Sequence, residues 1–155
     1  MAAKTTTDSG TDHASNVTRV SLRFSALLSY RPVAIDLISA LIEHADGADR
    51  DFRNEMVTAF GEAFNNIVIH GYRGRSDGML DIEAEMGPDQ VRLCLSDTGR
   101  EVDFATVPSP DLTSMPESGM GVFMIHALVD EVVYRGGSPN VLSLTKRTSS
   151  AGGPR

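Results

Sequence analysis

Apolar and polar residues alternate in five short stretches of the chain, and a period of two predicts β-strands. Near the N-terminus, Val20, Leu22 and Phe24 alternate with polar neighbours. The segments MLDIEAEM and QVRLCLSD follow each other across a Gly-Pro-Asp turn, a pattern typical of an antiparallel hairpin. Near the C-terminus, EVVYR and VLSLTK flank the turn-forming GGSPN. The pattern therefore predicts five strands.

Three other stretches have the apolar spacing of helices. Pro32 suits the first turn of a helix that continues through VAIDLISALIEHA. A longer helix is predicted from about Ala48 to His70, with Gly71 placed to stop it. A third opens at SGMG, after a proline-containing loop, and ends near Val129. The order β, α, α, β, β, loop, α, β, β predicts the α+β class: a two-layer sandwich with helices on one face of a mostly antiparallel sheet.

Composition narrows the function classes. The 155 residues are 41% hydrophobic, enough for one domain with a core. A net charge of −7 without a Lys/Arg-rich run argues against direct binding of nucleic acid or an anionic membrane. No apolar stretch approaches the roughly 20 residues of a membrane span, and the start has no signal-peptide core, so we expect a cytoplasmic protein. The single cysteine, Cys94, excludes an intramolecular disulfide and is predicted to be a small buried filler.

The two ends of the chain are polar and poor in apolar residues. We predict a disordered N-terminal tail over residues 1–16, a folded unit over 17–147 and a flexible C-terminal tail over 148–155, because the tails cannot bury enough surface to order themselves.

The second helix carries polar groups beside its apolar face. Glu62, Asn66 and His70 recur every four residues along one border of that face, which is expected to look into a cleft. Ordinary hydrogen bonds at the boundary would explain the same residues, and for His70 a structural role at the helix end near Tyr72 is the favoured interpretation. The residues expected to pack down are Met56, Phe60, Ala63, Phe64 and Ile67, whereas Thr58, Gly61 and Asn65 are expected to point away.

Two further stretches fit a ligand site. Asp97 ends a strand and is followed by Thr98-Gly99, so that a carboxylate able to accept a hydrogen bond from an exocyclic amine stands beside a residue that allows close approach. Ser118-Gly119-Met120-Gly121 opens a helix, whose first amides favour an anion. Each motif is weak by itself, since Asp-Thr-Gly is an ordinary turn and glycines often only cap or bend a helix.

Together the three motifs resemble a known family. Glu-x-x-x-Asn on a helix, Asp-x-Gly after a strand and Gly-x-Gly opening a helix occur in this order in the Bergerat-type ATPases, which include gyrase-like ATPases, Hsp90 chaperones, histidine kinases and MutL-like proteins. Within that group, GEAFNNIVIHGY, LSDTGREVDF and ESGMGVFMIHALVDEV most resemble the stand-alone anti-sigma-factor serine/threonine kinases of bacterial partner-switching systems. The resemblance covers about 17–146, nearly the whole predicted folded unit.

The resemblance implies a Bergerat fold that binds ATP or ADP with Mg²⁺. It implies that Asn66 is the magnesium ligand, that Glu62 is the general base near the γ-phosphate, and that Asp97 recognises adenine. It further implies that Gly99 accommodates the adenine ring and that the backbone of residues 118–121 meets the phosphates.

It also implies partners. The attacking hydroxyl would belong to a serine or threonine of a STAS-type anti-sigma-factor antagonist, and the same protein would sequester a sigma factor. Relatives form homodimers on the sheet side, so a homodimer is expected, supported by an exposed first strand around 17–24. The segment from Phe104 to Glu117 is expected to be the nucleotide lid.

Two positions depart from the family pattern, and two alternatives stay open. Glu101 stands where many relatives have a second glycine, and Glu117 where some have a basic residue. Negative charge near a triphosphate is unfavourable unless it is paired or turned outward, which leaves a catalytically lapsed anti-sigma binding module as one alternative. A detached catalytic domain of a histidine kinase is the other, ranked last because the chain has no room for a second helical phosphoacceptor domain.

Overall fold

The computed structural model of the chain describes residues 3–6, 16–107 and 117–149, with the backbone alone for 3–6 and 117–118. Its strands are β1 (Ala3–Thr6), β2 (Thr18–Ser25), β3 (Met79–Met86), β4 (Gln90–Asp97), β5 (Glu131–Arg135) and β6 (Asn140–Arg147). Its helices are α1 (Arg31–Glu43), preceded by a 3₁₀ turn at Leu28–Tyr30, α2 (Arg50–Asn66), which continues as a π turn over Ile67–Gly71, and α3 (Glu117–Leu128).

The described strands form one antiparallel sheet in the order β1-β2-β3-β4-β6-β5. The five predicted strands, the three predicted helices and the α+β sandwich are confirmed. The strand β1 was not predicted. It lies inside the stretch expected to be a disordered tail, and that expectation is wrong for residues 3–6; the rest of 1–15 lies outside the described residues.

The new strand changes the edge of the sheet. β1 pairs with Arg19–Leu22 of β2, and β3 pairs with the opposite side of β2. The predicted first strand is therefore hydrogen-bonded on both sides over these residues and is not an edge, which removes the edge contact suggested for a dimer. At the other end, Thr148 is buried and its N–H donates to the Asp89 carbonyl at 2.9 Å, so ordered structure continues past residue 147.

One face of the sheet holds the core because apolar residues alternate along each central strand. Leu22, Leu80, Ile82, Leu93 and Leu95 are almost fully buried on this face. The predicted apolar side of α2 packs into the same core, and its five residues, Met56, Phe60, Ala63, Phe64 and Ile67, are all buried.

Gly61 corrects the helix-wheel prediction. It is buried and does not point to solvent, because the Arg31 guanidinium covers it. A Cβ at position 61 would lie 2.7 Å from Arg31 Nη2, and Arg31 Nε donates to the Gly61 carbonyl at 3.4 Å. Because residue 61 is a glycine, the Arg31 side chain of α1 can lie flat against α2.

The other face of the sheet is polar. Arg23 pairs with Asp81, and Glu85 pairs with Arg19 and Arg92. Cys94 lies on this face, partly exposed, with its Sγ 3.5 Å from Ser143 Oγ, so the prediction of a buried filler is wrong. Among the described residues no helix has the length and apolar character needed to span a membrane.

Candidate nucleotide-binding site

The carboxylate of Asp97 is fixed at the end of β4, directly opposite Asn140 of β6. It is 5% exposed. Its Oδ1 accepts hydrogen bonds from the Gly99 N–H at 2.9 Å and from Asn140 Nδ2 at 3.0 Å. Burial raises the pKa of Asp97 above its usual value, and the hydrogen bonds from Asn140 and Gly99 offset part of that increase.

Asn140 holds this arrangement together. It is fully buried, and its Nδ2 also donates to the Gly99 carbonyl at 2.9 Å, while its Oδ1 accepts from the Gly137 N–H at 2.9 Å. Every hydrogen bond of this side chain thus serves the Asp97–Gly99 turn or the β5–β6 turn. Asn140 is not recognisable as a site residue from the sequence, because its partner is 43 residues away and an isolated asparagine at the start of a strand has no distinguishing local pattern.

The second carboxylate oxygen of Asp97 remains available to a ligand. No hydrogen bond joins Oδ2 to any described residue, and within the described ranges no buried side-chain oxygen or nitrogen lacks a partner. Oδ2 therefore reaches the surface, while Oδ1 is fully engaged. An acceptor held in this way can receive a hydrogen bond from an exocyclic amine, as the sequence predicts for adenine.

Gly99 is required by the chain's own backbone. A Cβ at this position would lie 2.8 Å from both the carbonyl carbon and the oxygen of Gly71, closer than real Cβ contacts allow. The next residue, Arg100, donates its N–H to the same Gly71 carbonyl at 2.8 Å. The Asp-x-Gly turn and the end of the α2 extension therefore cross in direct contact. Gly99 permits this contact, a role that was not predicted beside its expected role of leaving space for the adenine ring.

Tyr72 also fixes the Asp97–Gly99 turn. Its ring is buried, its hydroxyl donates to the Met79 carbonyl, and the hydroxyl oxygen accepts from the Thr98 N–H at 3.0 Å. A Cβ at Gly78 would meet the Tyr72 ring at 2.5 Å, so a glycine is needed there. The neighbouring His70 is exposed, and among the described residues its ring makes no hydrogen bond that would close the helix end.

The other end of the site is formed by α2 and α3. Asn66 is 7% exposed, and its Nδ2 donates to the backbone carbonyl of Glu62 at 2.9 Å. A Cβ on Gly121 would lie 2.8 Å from Glu62 Oε2 and 3.1 Å from Asn66 Nδ2. The helices therefore approach each other at this point only because residue 121 has no side chain. The structure brings together Glu62, Asn66 and Gly121, three of the predicted site residues.

Residues 118–121 occupy the first turns of α3, which begins at Glu117. The free amides of a helix are those of its first turn, so Gly119 and Met120 belong to that set, whereas Gly121 follows it. The steric role of Gly121 is what the structure shows, and an amide contact from Gly121 to phosphate stays a prediction. Most of the predicted lid, 108–116, lies outside the described residues; Phe104, its predicted first residue, is fully buried.

An open cleft with a volume of about 370 Å³ lies beside Asn66 of α2 and Val122 of α3. Its volume falls within the usual range for small-molecule sites. The residues that line it are Asn66, His70, Arg73, Arg100, Glu101, Val102, Asp103 and Val122.

A divalent metal would need ligands from outside the chain. Within the described residues no group of three or more His, Cys, Asp or Glu side chains could hold an ion. Asn66 has its Nδ2 tied to the Glu62 carbonyl, which leaves its amide oxygen as the free ligand atom. One amide oxygen suits Mg²⁺ when phosphate oxygens and water complete the shell, so the residues present fit a metal bound together with a nucleotide.

The sandwich with a fixed aspartate after a central strand, beside a helix bearing a carboxylate and an amide, is the architecture of a histidine kinase-like ATPase domain. The model of that family, described as "Histidine kinase-like ATPase domain", matches residues 24–146, and the chain belongs to this family.

Two solved structures share the fold. One contains the RsbU and RsbW domains of a Mycobacterium tuberculosis protein, with a TM-score of 0.59, 23% identity and coverage of 82% of this chain. The other is the histidine kinase domain of a blue-light activated kinase of Erythrobacter litoralis, with a TM-score of 0.50, 17% identity and 79% coverage. The chain spans 32% and 61% of their respective lengths.

Sequence relatives define the branch. The chain is 32% identical over 116 residues to the anti-sigma F factor of Clostridium beijerinckii, covering 72% of this chain and 80% of that protein. It is 28% identical over 136 residues to the serine-protein kinase RsbW of Staphylococcus aureus, covering 82% and 85%. The chain is therefore a member of the anti-sigma-factor kinase branch of the histidine kinase-like ATPases, as its motifs indicate.

Proposed function

We propose that this protein is an anti-sigma factor and a protein serine/threonine kinase that binds Mg-ATP, phosphorylates a STAS-type anti-sigma-factor antagonist and sequesters a sigma factor. The observation that carries the proposal is the presence of two prepared groups of side chains on elements that touch each other at Gly71 and Gly99. Glu62 and Asn66 lie against the glycine of α3, where Asn66 also lines the cleft, and Asp97 is locked at the end of β4 with one oxygen free.

Each residue has a chemical task in this proposal. Asp97 Oδ2 accepts a hydrogen bond from the adenine amine, and the buried Asn140 keeps the carboxylate from rotating. Glu62, partly exposed, accepts the proton of the attacking serine or threonine hydroxyl. Bound by the Asn66 amide oxygen, magnesium would neutralise charge on the phosphates. Phosphoryl transfer depends mainly on positioning and charge neutralisation, so these few groups are sufficient.

Glu101 lines the cleft, but its carboxylate is turned toward the β5–β6 turn. Its carboxylate lies against Gly136 in the β5–β6 turn, so closely that a Cβ there would overlap it. A carboxylate turned toward that turn repels a triphosphate less than one directed at the ligand. The main reason to favour a catalytically lapsed binding module is weakened accordingly, although the module remains the second candidate.

Two experiments separate the candidates. Thermal unfolding with saturating Mg-ATP or Mg-ADP tests nucleotide binding: at about 100 times its Kd a ligand stabilises by about 2.7 kcal/mol, or about 5–10 °C for a domain of this size. Incubation with γ-labelled Mg-ATP and a STAS-domain protein from the same genome then tests transfer. Label on a serine or threonine of that protein, lost in Glu62→Gln, supports the kinase. A nucleotide-induced shift with sigma-factor binding and no transfer to any STAS protein of the genome would support the lapsed module.

A further inference from the structure

Two cleft-lining cations have no partner of their own. Neither the Arg73 nor the Arg100 side chain makes a hydrogen bond or ion pair with the described part of the chain, although both line the cleft. Most other arginines of this acidic protein are paired with a carboxylate in the described residues: Arg19, Arg23, Arg53, Arg75 and Arg92. In a chain with a net charge of −7, two exposed guanidinium groups at one concave site are thus available to an anionic ligand.

The two carboxylates that line the cleft differ in their contacts. Asp103 accepts hydrogen bonds from the N–H groups of Thr106 at 2.9 Å and Ala105 at 3.0 Å, and these bonds hold the pKa of its carboxyl below the usual value. Glu101 lies against Gly136 in the β5–β6 turn. Among the arginine, aspartate and glutamate side chains that line the cleft, Arg73 and Arg100 are the two that can donate hydrogen bonds to an anion.

The backbone brings the two arginines to the same place. Arg100 is bonded through its N–H to the carbonyl of Gly71, two residues before Arg73, and Gly99 touches Gly71 directly. Arg73 has φ of 49°, and no other residue except glycine has a positive φ in the described ranges. This left-handed conformation is unfavourable for a side chain, and such outliers are concentrated at functional sites.

We infer that Arg73 and Arg100 bind the phosphates of the nucleotide, because both line the same cleft as Asn66, the proposed magnesium ligand. The planar guanidinium group is well suited to phosphate because it can donate two parallel hydrogen bonds. This inference rests on the proposed function, since it assigns recognition residues to the same nucleotide site.

The test measures the binding of Mg-ADP and of adenosine to the full chain by isothermal calorimetry. For Arg73→Ala and Arg100→Ala we expect the affinity for Mg-ADP to fall about tenfold each, the low end for a hydrogen bond to a charged group, with the affinity for adenosine unchanged within about twofold. Arg147→Ala removes the same charge at an exposed position outside the cleft and should bind like wild type.

The outcomes separate this inference from the proposed function. If wild type binds neither Mg-ADP nor Mg-ATP, the proposed function fails. If wild type binds Mg-ADP and both cleft variants bind it with the same affinity, the phosphate assignment is wrong while the nucleotide site stands. The same conclusion follows if the variants lose affinity for adenosine and for Mg-ADP equally. A loss matched by Arg147→Ala would likewise overturn the assignment, because it would reflect net charge and not contact.

Discussion

Asn140 makes the sharpest prediction, because one fully buried side chain supports the Asp97 turn. In Asn140→Ala, three hydrogen bonds disappear: to Asp97 Oδ1, to the Gly99 carbonyl and from the Gly137 N–H. Two bonds to neutral groups at about 1 kcal/mol each and one to a carboxylate at about 2 kcal/mol give a destabilisation of about 4 kcal/mol. For a domain of this size that corresponds to a Tm lower by about 8–16 °C.

Thermal and urea unfolding followed by far-UV circular dichroism would measure this effect, since the chain has no tryptophan for fluorescence. The matched control is Asn54→Ala on the exposed side of α2, which should change stability by less than about 0.5 kcal/mol. Because Asp97 then keeps the hydrogen bond from the Gly99 N–H and loses the one from Asn140, its carboxylate is less restrained and Asn140→Ala should also lose most of the stabilisation by Mg-ADP. A Tm within about 3 °C of wild type would refute the assignment of Asn140 as the support of this turn.

Three other variants test the remaining parts of the site. Asp97→Asn keeps both acceptor bonds and removes a buried negative charge from a carboxyl whose pKa is raised by burial. The variant should therefore have a Tm at or above that of wild type at pH 7.5, and the difference in Tm should shrink toward pH 4. A markedly lower Tm at pH 7.5 would contradict this. Gly121→Ala places a methyl group 2.8 Å from the flexible Glu62 carboxylate. The rate of phosphotransfer should drop more than about tenfold, while the Tm, measured in parallel, changes little. Full activity would argue against the close approach of α3 to Glu62. His126→Ala removes the 2.6 Å contact between its Nε2 and the Phe104 carbonyl, and hydrogen exchange should become faster over 102–107; unchanged exchange would exclude this anchor.

The secondary structure was largely predictable from local pattern. The alternation of Val20, Leu22 and Phe24 and the spacing of Phe60, Phe64 and Ile67 reflect which face each element buries, and burial dominates the choice between strand and helix. β1 escaped prediction because three of its four residues are polar and the strand forms by pairing with β2, which no local period reveals.

The candidate site was predictable only in part. Glu62 and Asn66 share a helix border, and the sequence places them together through helical geometry alone. Arg73 and Arg100 carry no motif, and only the contact between Gly71 and Gly99 brings them to one cleft. Gly61 was misjudged for the same reason, since its exposure depended on the position of Arg31 in another helix.

The sequence by itself determined the three helices, the strands β2 to β6, the fold class and the residue types available for chemistry, because hydrophobic periodicity and glycine placement are local properties. The tertiary structure decided which groups are oriented and which are free. Asp97 became a fixed acceptor with one open oxygen because a strand partner 43 residues away supplies the Asn140 amide. Hydrogen bonds and steric contacts between distant segments depend on the packed sheet, and their geometry is therefore set by the fold as a whole.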